Sequence, residues 1–161
     1  MYSRPEQGVN RMLNILVVLS MILSSSAEDI IRRESISNGI PLRLAIAVAM
    51  TESNMRHYDR DGNIIVSGTG DYGMFQVNRR EWEKRWEWDY ILTEEGNIVA
   101  GVWILSWCYR YSLKKGYSGD DLIRATYSTY NAFQHDRWKN RDDPRDIRFW
   151  DIYMNLPQEI K

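Results

Sequence analysis

The chain has 161 residues and a mass of 19.1 kDa, enough for one compact domain and too little for several. Its 43% hydrophobic and 27% charged residues are near the average of soluble globular chains, which excludes disorder, collagen-like repeats and a polytopic membrane protein. Lys and Arg number 21 against 22 Asp and Glu, a net charge of −1 that gives no positive field for nucleic acid; one cysteine and two histidines exclude a disulfide scaffold and a multi-cysteine zinc site.

Met12 to Leu23 (MLNILVVLSMIL) is a short apolar run preceded by Arg4 and Arg11 and followed by Ser24, Ser25, Ser26 and Ala27. Basic, apolar and small residues in that order predict a secretory signal over residues 1–27, cleaved after Ala27, and a mature domain over 28–161. The run is shorter than the roughly 20 apolar residues of a membrane span, so membrane contact is expected only during export, with the product in the periplasm or cell envelope. Removing the segment leaves 19 basic against 21 acidic residues, and the charge argument stands.

The remaining chain reads as mainly α-helical with a small irregular or β insert. Glu28 to Ser37 has a modest apolar spacing at Ile30, Ile31 and Ile36 and ends at Asn38-Gly39. Pro41 suits the first turn of a second helix, whose Leu44 to Met50 stretch (LAIAVAM) is apolar all round and therefore buried on every side. His57 to Asp71 is rich in Asp, Gly and Asn, which predicts a loop with a turn at Asp61-Gly62 and a small hairpin around Asn63 to Val66. Glu81 to Trp88, Glu95 to Lys115, Asp120 to Ala132 and Pro144 to Asn155 carry helical apolar spacing.

Glu52 stands seven residues after Ala45 and three after Ala49, near the same face at the end of the most apolar helix. A carboxyl kept from water there has a raised pKa and becomes a proton donor near neutral pH. The alternative is that the helix has simply reached its exposed end, with Ser53 and Asn54 as terminating residues, and helix geometry alone leaves both readings open. Next comes a polar elbow, Asp71 to Asn78, in which Gly73 allows another chain, such as a substrate, to approach the backbone closely. Gly68 to Gly73 also matches G-x-G-x-x-G, but no helix is expected to open at those glycines. Asp59, Asp61 and Asn63 alternate like a calcium loop whose glycine is misplaced, since Ile64 holds the sixth position.

Glu52-Ser53, Gly73-Met74-Phe75-Gln76, Asn97-Ile98 followed by Gly101 and Ile104-Leu105, and Tyr130-Asn131-Ala132, in that order, resemble the motifs of the soluble lytic transglycosylase catalytic domain. The resemblance spans roughly Ile36 to Phe133 and implies a lysozyme-like helical fold with a groove for peptidoglycan glycan strands and no cofactor or metal. It makes Glu52 the single catalytic acid and base, with Ser53 and Gln76 supporting the site, Tyr130 orienting or polarising Glu52, and Asn131 holding the last motif near the sugar. Two departures stand out: Met74-Phe75 before the glutamine, and Phe133 where the family commonly has glycine. Asp71-Tyr72-Gly73 with Phe75 to Asn78 also looks like the animal-type lysozymes, in which an aspartate at this place is the second catalytic carboxylate.

The resemblance implies cleavage between N-acetylmuramic acid and N-acetylglucosamine with 1,6-anhydro ends. The alternatives are hydrolysis using Glu52 and Asp71, two carboxyl groups roughly 5–5.5 Å apart if configuration is retained, and a non-catalytic peptidoglycan-binding module stacking sugars on some of the seven tryptophans. Most tryptophans are expected in the core, Trp82 with Trp86 and Trp103 with Trp107 having ordinary packing spacing. Cys108 reads as a buried apolar residue, His135 as surface, and Asp136 to Arg148 as a solvated charged face.

Overall fold

A computed structural model describes residues 26–134, 136–139 and 143–157. The apolar run of the expected signal and His135 lie outside the described residues. Helix α1, Ala27–Asn38, starts at a reciprocal cap: the Asp29 amide donates to Ser26 Oγ and the Ser26 amide to an Asp29 carboxylate oxygen, 3.2 Å each. Ile30 and Ile31 are buried, but Ile36, expected on the same face, is exposed, because it follows Ile31 by about 140° around the helix. Gly39, at φ +67°, closes the helix.

Helix α2, Leu42–Ser53, follows Pro41, and Leu44 through Ala49 are buried on all sides as their composition requires. It packs against α1 and α7 (Pro144–Asn155). The longest helix, α5 (Glu94–Lys114), is capped by Thr93, whose Oγ1 accepts from the Gly96 amide at 3.0 Å, and lies between α1 and α6 (Gly119–Ala132). Among the described residues no helix is long and apolar enough to cross a membrane.

Two expectations are corrected between α2 and α5. The hairpin strands are β1 (Asp71–Tyr72) and β2 (Val77–Asn78), antiparallel with Asp71 opposite Asn78, while Asn63 to Val66 supplies only bridges, Tyr58 to Ile64 and Val66 to Tyr72. Asp59 uses its side chain locally, accepting from the Asp61 and Asn63 amides at 2.9 Å each to shape the Asp61-Gly62 turn. The helix expected over Glu81 to Trp88 is two short ones, α3 (Arg79–Trp82) and α4 (Trp88–Ile91). In one continuous helix Trp88 would project about 120° from Trp82. The break lets Trp82 and Trp86 pack edge-on against Trp103 while Trp88 packs against Tyr72.

The turn between β1 and β2 is seated on α5. Asn97 accepts from the Phe75 amide and donates to the Tyr72 carbonyl, 2.8 Å each, and Gly101, one helical turn on, lets the Phe75 ring lie directly against the α5 backbone. A Cβ at Gly101 would fall 2.3 Å from Phe75 Cβ, a contact that the buried ring cannot relieve without moving the turn. Gly101→Ala is therefore expected to destabilise the domain by about 2–3 kcal/mol, read as a lowered urea midpoint.

Candidate active site

A groove of about 360 Å³ opens where the end of α2, the β1–β2 turn and the end of α6 meet, and Glu52 lies in its lining. Glu52 is the penultimate residue of α2, and the apolar packing that buries the helix also withholds water from the carboxyl. Burial pushes its pKa up, and the Asp71 charge pushes the same way. Hydrogen bonds from Asn131 and Tyr127, with the more distant Arg148, oppose this without cancelling it. The Asn131 amide donates to Glu52 Oε1 at 3.4 Å.

Asp71 lines the same groove under opposite conditions. Its partial burial acts upward, but donors outweigh it and hold the carboxyl below its ordinary value. Ser67 Oγ at 2.6 Å and the Thr69 hydroxyl donate to Oδ2, and Asn78 Nδ2 donates to Oδ1 at 2.6 Å. The glycine-rich stretch is thus a turn that delivers donors to Asp71. The first helix after it, α3, does not open at those glycines.

Of the other expected site residues, Gln76, Tyr130 and Asn131 line the groove, and Ser53 and Gly73 do not. Ser53 Oγ donates to the Met74 carbonyl at 2.8 Å and accepts from the Arg56 amide at 3.1 Å, tying the end of α2 to the turn. Gln76, at φ +47°, lines the groove and donates from Nε2 to the Gly73 carbonyl at 2.8 Å. Gly73 has a different use from the one expected. At φ +71°, a Cβ there would meet the His57 ring at 2.5 Å and Asn97 at 2.7 Å, so the close approach it permits is internal. His57 is buried, bonds through Nε2 to the Leu92 carbonyl at 2.9 Å and accepts the Met74 amide on Nδ1 at 3.4 Å, which fixes the Nε2-protonated tautomer.

Tyr130 lines the groove with Glu52 and gives its hydroxyl proton to the Phe75 carbonyl at 2.6 Å, which anchors the turn; Tyr127, three residues earlier on α6, is a second phenol that acts on the Glu52 carboxyl. Asn131 lines the groove and is itself held from behind. Arg137 donates to Asn131 Oδ1 at 2.7 Å and forms a two-pronged ion pair with Asp146, Nε to Oδ2 at 3.1 Å and Nη2 to Oδ1 at 3.0 Å. Both side chains of that pair are only 8% exposed. The expected solvated face from Asp136 to Arg148 therefore contains a buried ion pair supporting the site, and the hint available was an arginine six residues beyond a site asparagine. Cys108 is buried, as expected, and burial pushes its thiol up to about 12.

A helical frame closing around a partly buried glutamate, with a second carboxylate and a polar turn lining the same groove, defines a lysozyme-like domain. Residues 29–150 match the family described as the transglycosylase SLT domain, and the chain belongs to that family of peptidoglycan-acting lytic transglycosylases. No curated protein and no solved structure matches the chain.

Proposed function

We propose that the domain cleaves the β-1,4 bond between N-acetylmuramic acid and N-acetylglucosamine and leaves 1,6-anhydromuramic ends. The observation that carries this reading is the placing of Glu52 in the lining of a groove with Asp71 and Asn131, where burial pushes its pKa upward, the direction an acid catalyst needs. Glu52 gives its proton to the glycosidic oxygen, the bond breaks toward an oxocarbenium-like state, and the resulting carboxylate takes the proton of the muramic acid 6-hydroxyl. That oxygen closes onto the anomeric carbon, and Glu52 ends the cycle protonated. Asp71 supplies a fixed negative charge to the cationic state. Both of its oxygens already accept hydrogen bonds, which weakens it as a nucleophile and suits it to electrostatic stabilisation.

Hydrolysis is the second reading, favoured by the same divergence of the two carboxyl groups, Glu52 up and Asp71 down, a pattern that assigns one as acid and the other as anion. Mass spectrometry of muropeptides released from purified sacculi separates the two: anhydro ends support the first reading and reducing ends replace it with the second. Asp71→Asn is expected to lower kcat roughly 10–100-fold with the anhydro product unchanged. A switch in product on that substitution would place Asp71 in the bond-forming step. The substrate lies in the cell envelope, and the basic and apolar segment before Ser24 is the part of the chain we propose takes the domain there.

A further inference from the structure

Phe133 follows Ala132 at the end of α6 with φ +53°, a left-handed conformation that favours glycine, yet the position holds a phenylalanine that is 51% exposed. Its side chain lines the rim of the groove beside Tyr130 and Asn131. Trp107 lies next to it, with ring centroids 6.4 Å apart at 64°. At 40% exposure Trp107 stands out, the other six tryptophans all being more deeply buried. It stacks in turn on Tyr111, 5.6 Å away at 16°.

These rings are continuous with the groove. Ile104 lines it, and Trp107 and Tyr111 follow at three- and four-residue spacing on the same face of α5, so one stripe leads from the groove onto the outer surface. A large exposed aromatic surface at the mouth of a cleft marks a binding surface, and a residue held in an unfavourable backbone conformation there points to function. We propose that Phe133 and Trp107 form a shelf that carries a further N-acetylhexosamine ring of the glycan strand, beyond the sugars flanking the cleaved bond. The apolar C–H face of a pyranose lies flat on such a ring while its hydroxyls stay in water, and the strand is the ligand proposed above for the adjoining groove. This inference rests on the peptidoglycan reading above.

The test is binding of an inactive protein, Glu52→Gln, to purified sacculi, measured by pelleting over a concentration series. Adding Trp107→Ala is expected to raise the concentration for half-maximal binding by about 5-fold. Adding Phe133→Gly is expected to weaken binding in the same direction while raising Tm by about 3 °C, because glycine relieves the left-handed strain. A purely structural phenylalanine would not separate binding from stability in this way. Unchanged binding in both double variants, with Glu52→Gln itself pelleting, overturns the shelf and leaves the peptidoglycan reading intact. Absence of pelleting by Glu52→Gln together with no muropeptide release by the wild type overturns both. A dimer in sedimentation that Trp107→Ala dissociates would assign the shelf to a second copy of the chain and overturn the sugar assignment.

Discussion

Glu52→Gln is expected to lower muropeptide release at least about 10³-fold, since an amide neither donates an acidic proton nor accepts one back. The same substitution should leave the fold intact and raise its stability near neutral pH. The folded-state pKa of Glu52 is raised, so burial of this group is free of cost below the ordinary carboxyl range and becomes unfavourable as pH climbs through the folded value. The gain in Tm from Glu52→Gln should therefore be present at pH 7 and vanish below about pH 4. Activity has the matching dependence: Glu52 must start protonated, so it sets the basic limb of kcat/KM. Asn131 lowers that pKa by donating to the carboxylate, and Asn131→Ala is expected to move the basic limb to higher pH. A pH profile unmoved by Asn131→Ala would remove Asn131 from the control of that pKa, and a Glu52→Gln protein that still releases muropeptides at wild-type rate would remove Glu52 from the chemistry.

Glu52 was legible as a candidate because it is the one carboxylate on the most apolar helix, but it stands beside Thr51 and Ser53 at the helix end, and only the order of the motifs chose between a buried acid and an exposed terminus. The α5 motif was legible as a motif only. Asn97 and Gly101 stand four apart, and nothing in that spacing says that the first bonds the Phe75 amide while the second makes room for the Phe75 ring. The part of Tyr127 was hidden for a similar reason. Residues three apart on α6 share a face, and that Tyr127 as well as Tyr130 comes near Glu52 depends on how α6 lies against α2 and the turn. Gly73 invited a substrate reading because open backbone serves any close neighbour, and here the neighbours are His57 and Asn97. Trp82, Trp86 and Trp88 misled the helix boundaries, since packing three indoles in two directions outweighed the local helical spacing.

Arg137 was the least legible part of the site, and its removal should have the second largest effect. It donates to Asn131 Oδ1, which leaves the Asn131 NH₂ as the group presented to Glu52, so one guanidinium determines which way round that amide sits. Arg137→Met leaves Asp146 buried without its countercharge, with Ser128 Oγ at 3.3 Å as its remaining donor on α6, and is expected to cost about 3–5 kcal/mol in urea unfolding. The double variant Arg137→Met with Asp146→Leu removes both charges and should recover most of that stability. It should not recover activity. With its carbonyl oxygen released, the Asn131 amide is able to turn and accept from protonated Glu52, which favours the neutral form and carries the basic limb of kcat/KM upward, with kcat reduced at least about 10-fold. A double variant with wild-type kcat and pH profile would show that the ion pair serves the fold alone. Stability restored with activity still lost would show that the pair's work lies in the orientation of one amide beside the catalytic acid.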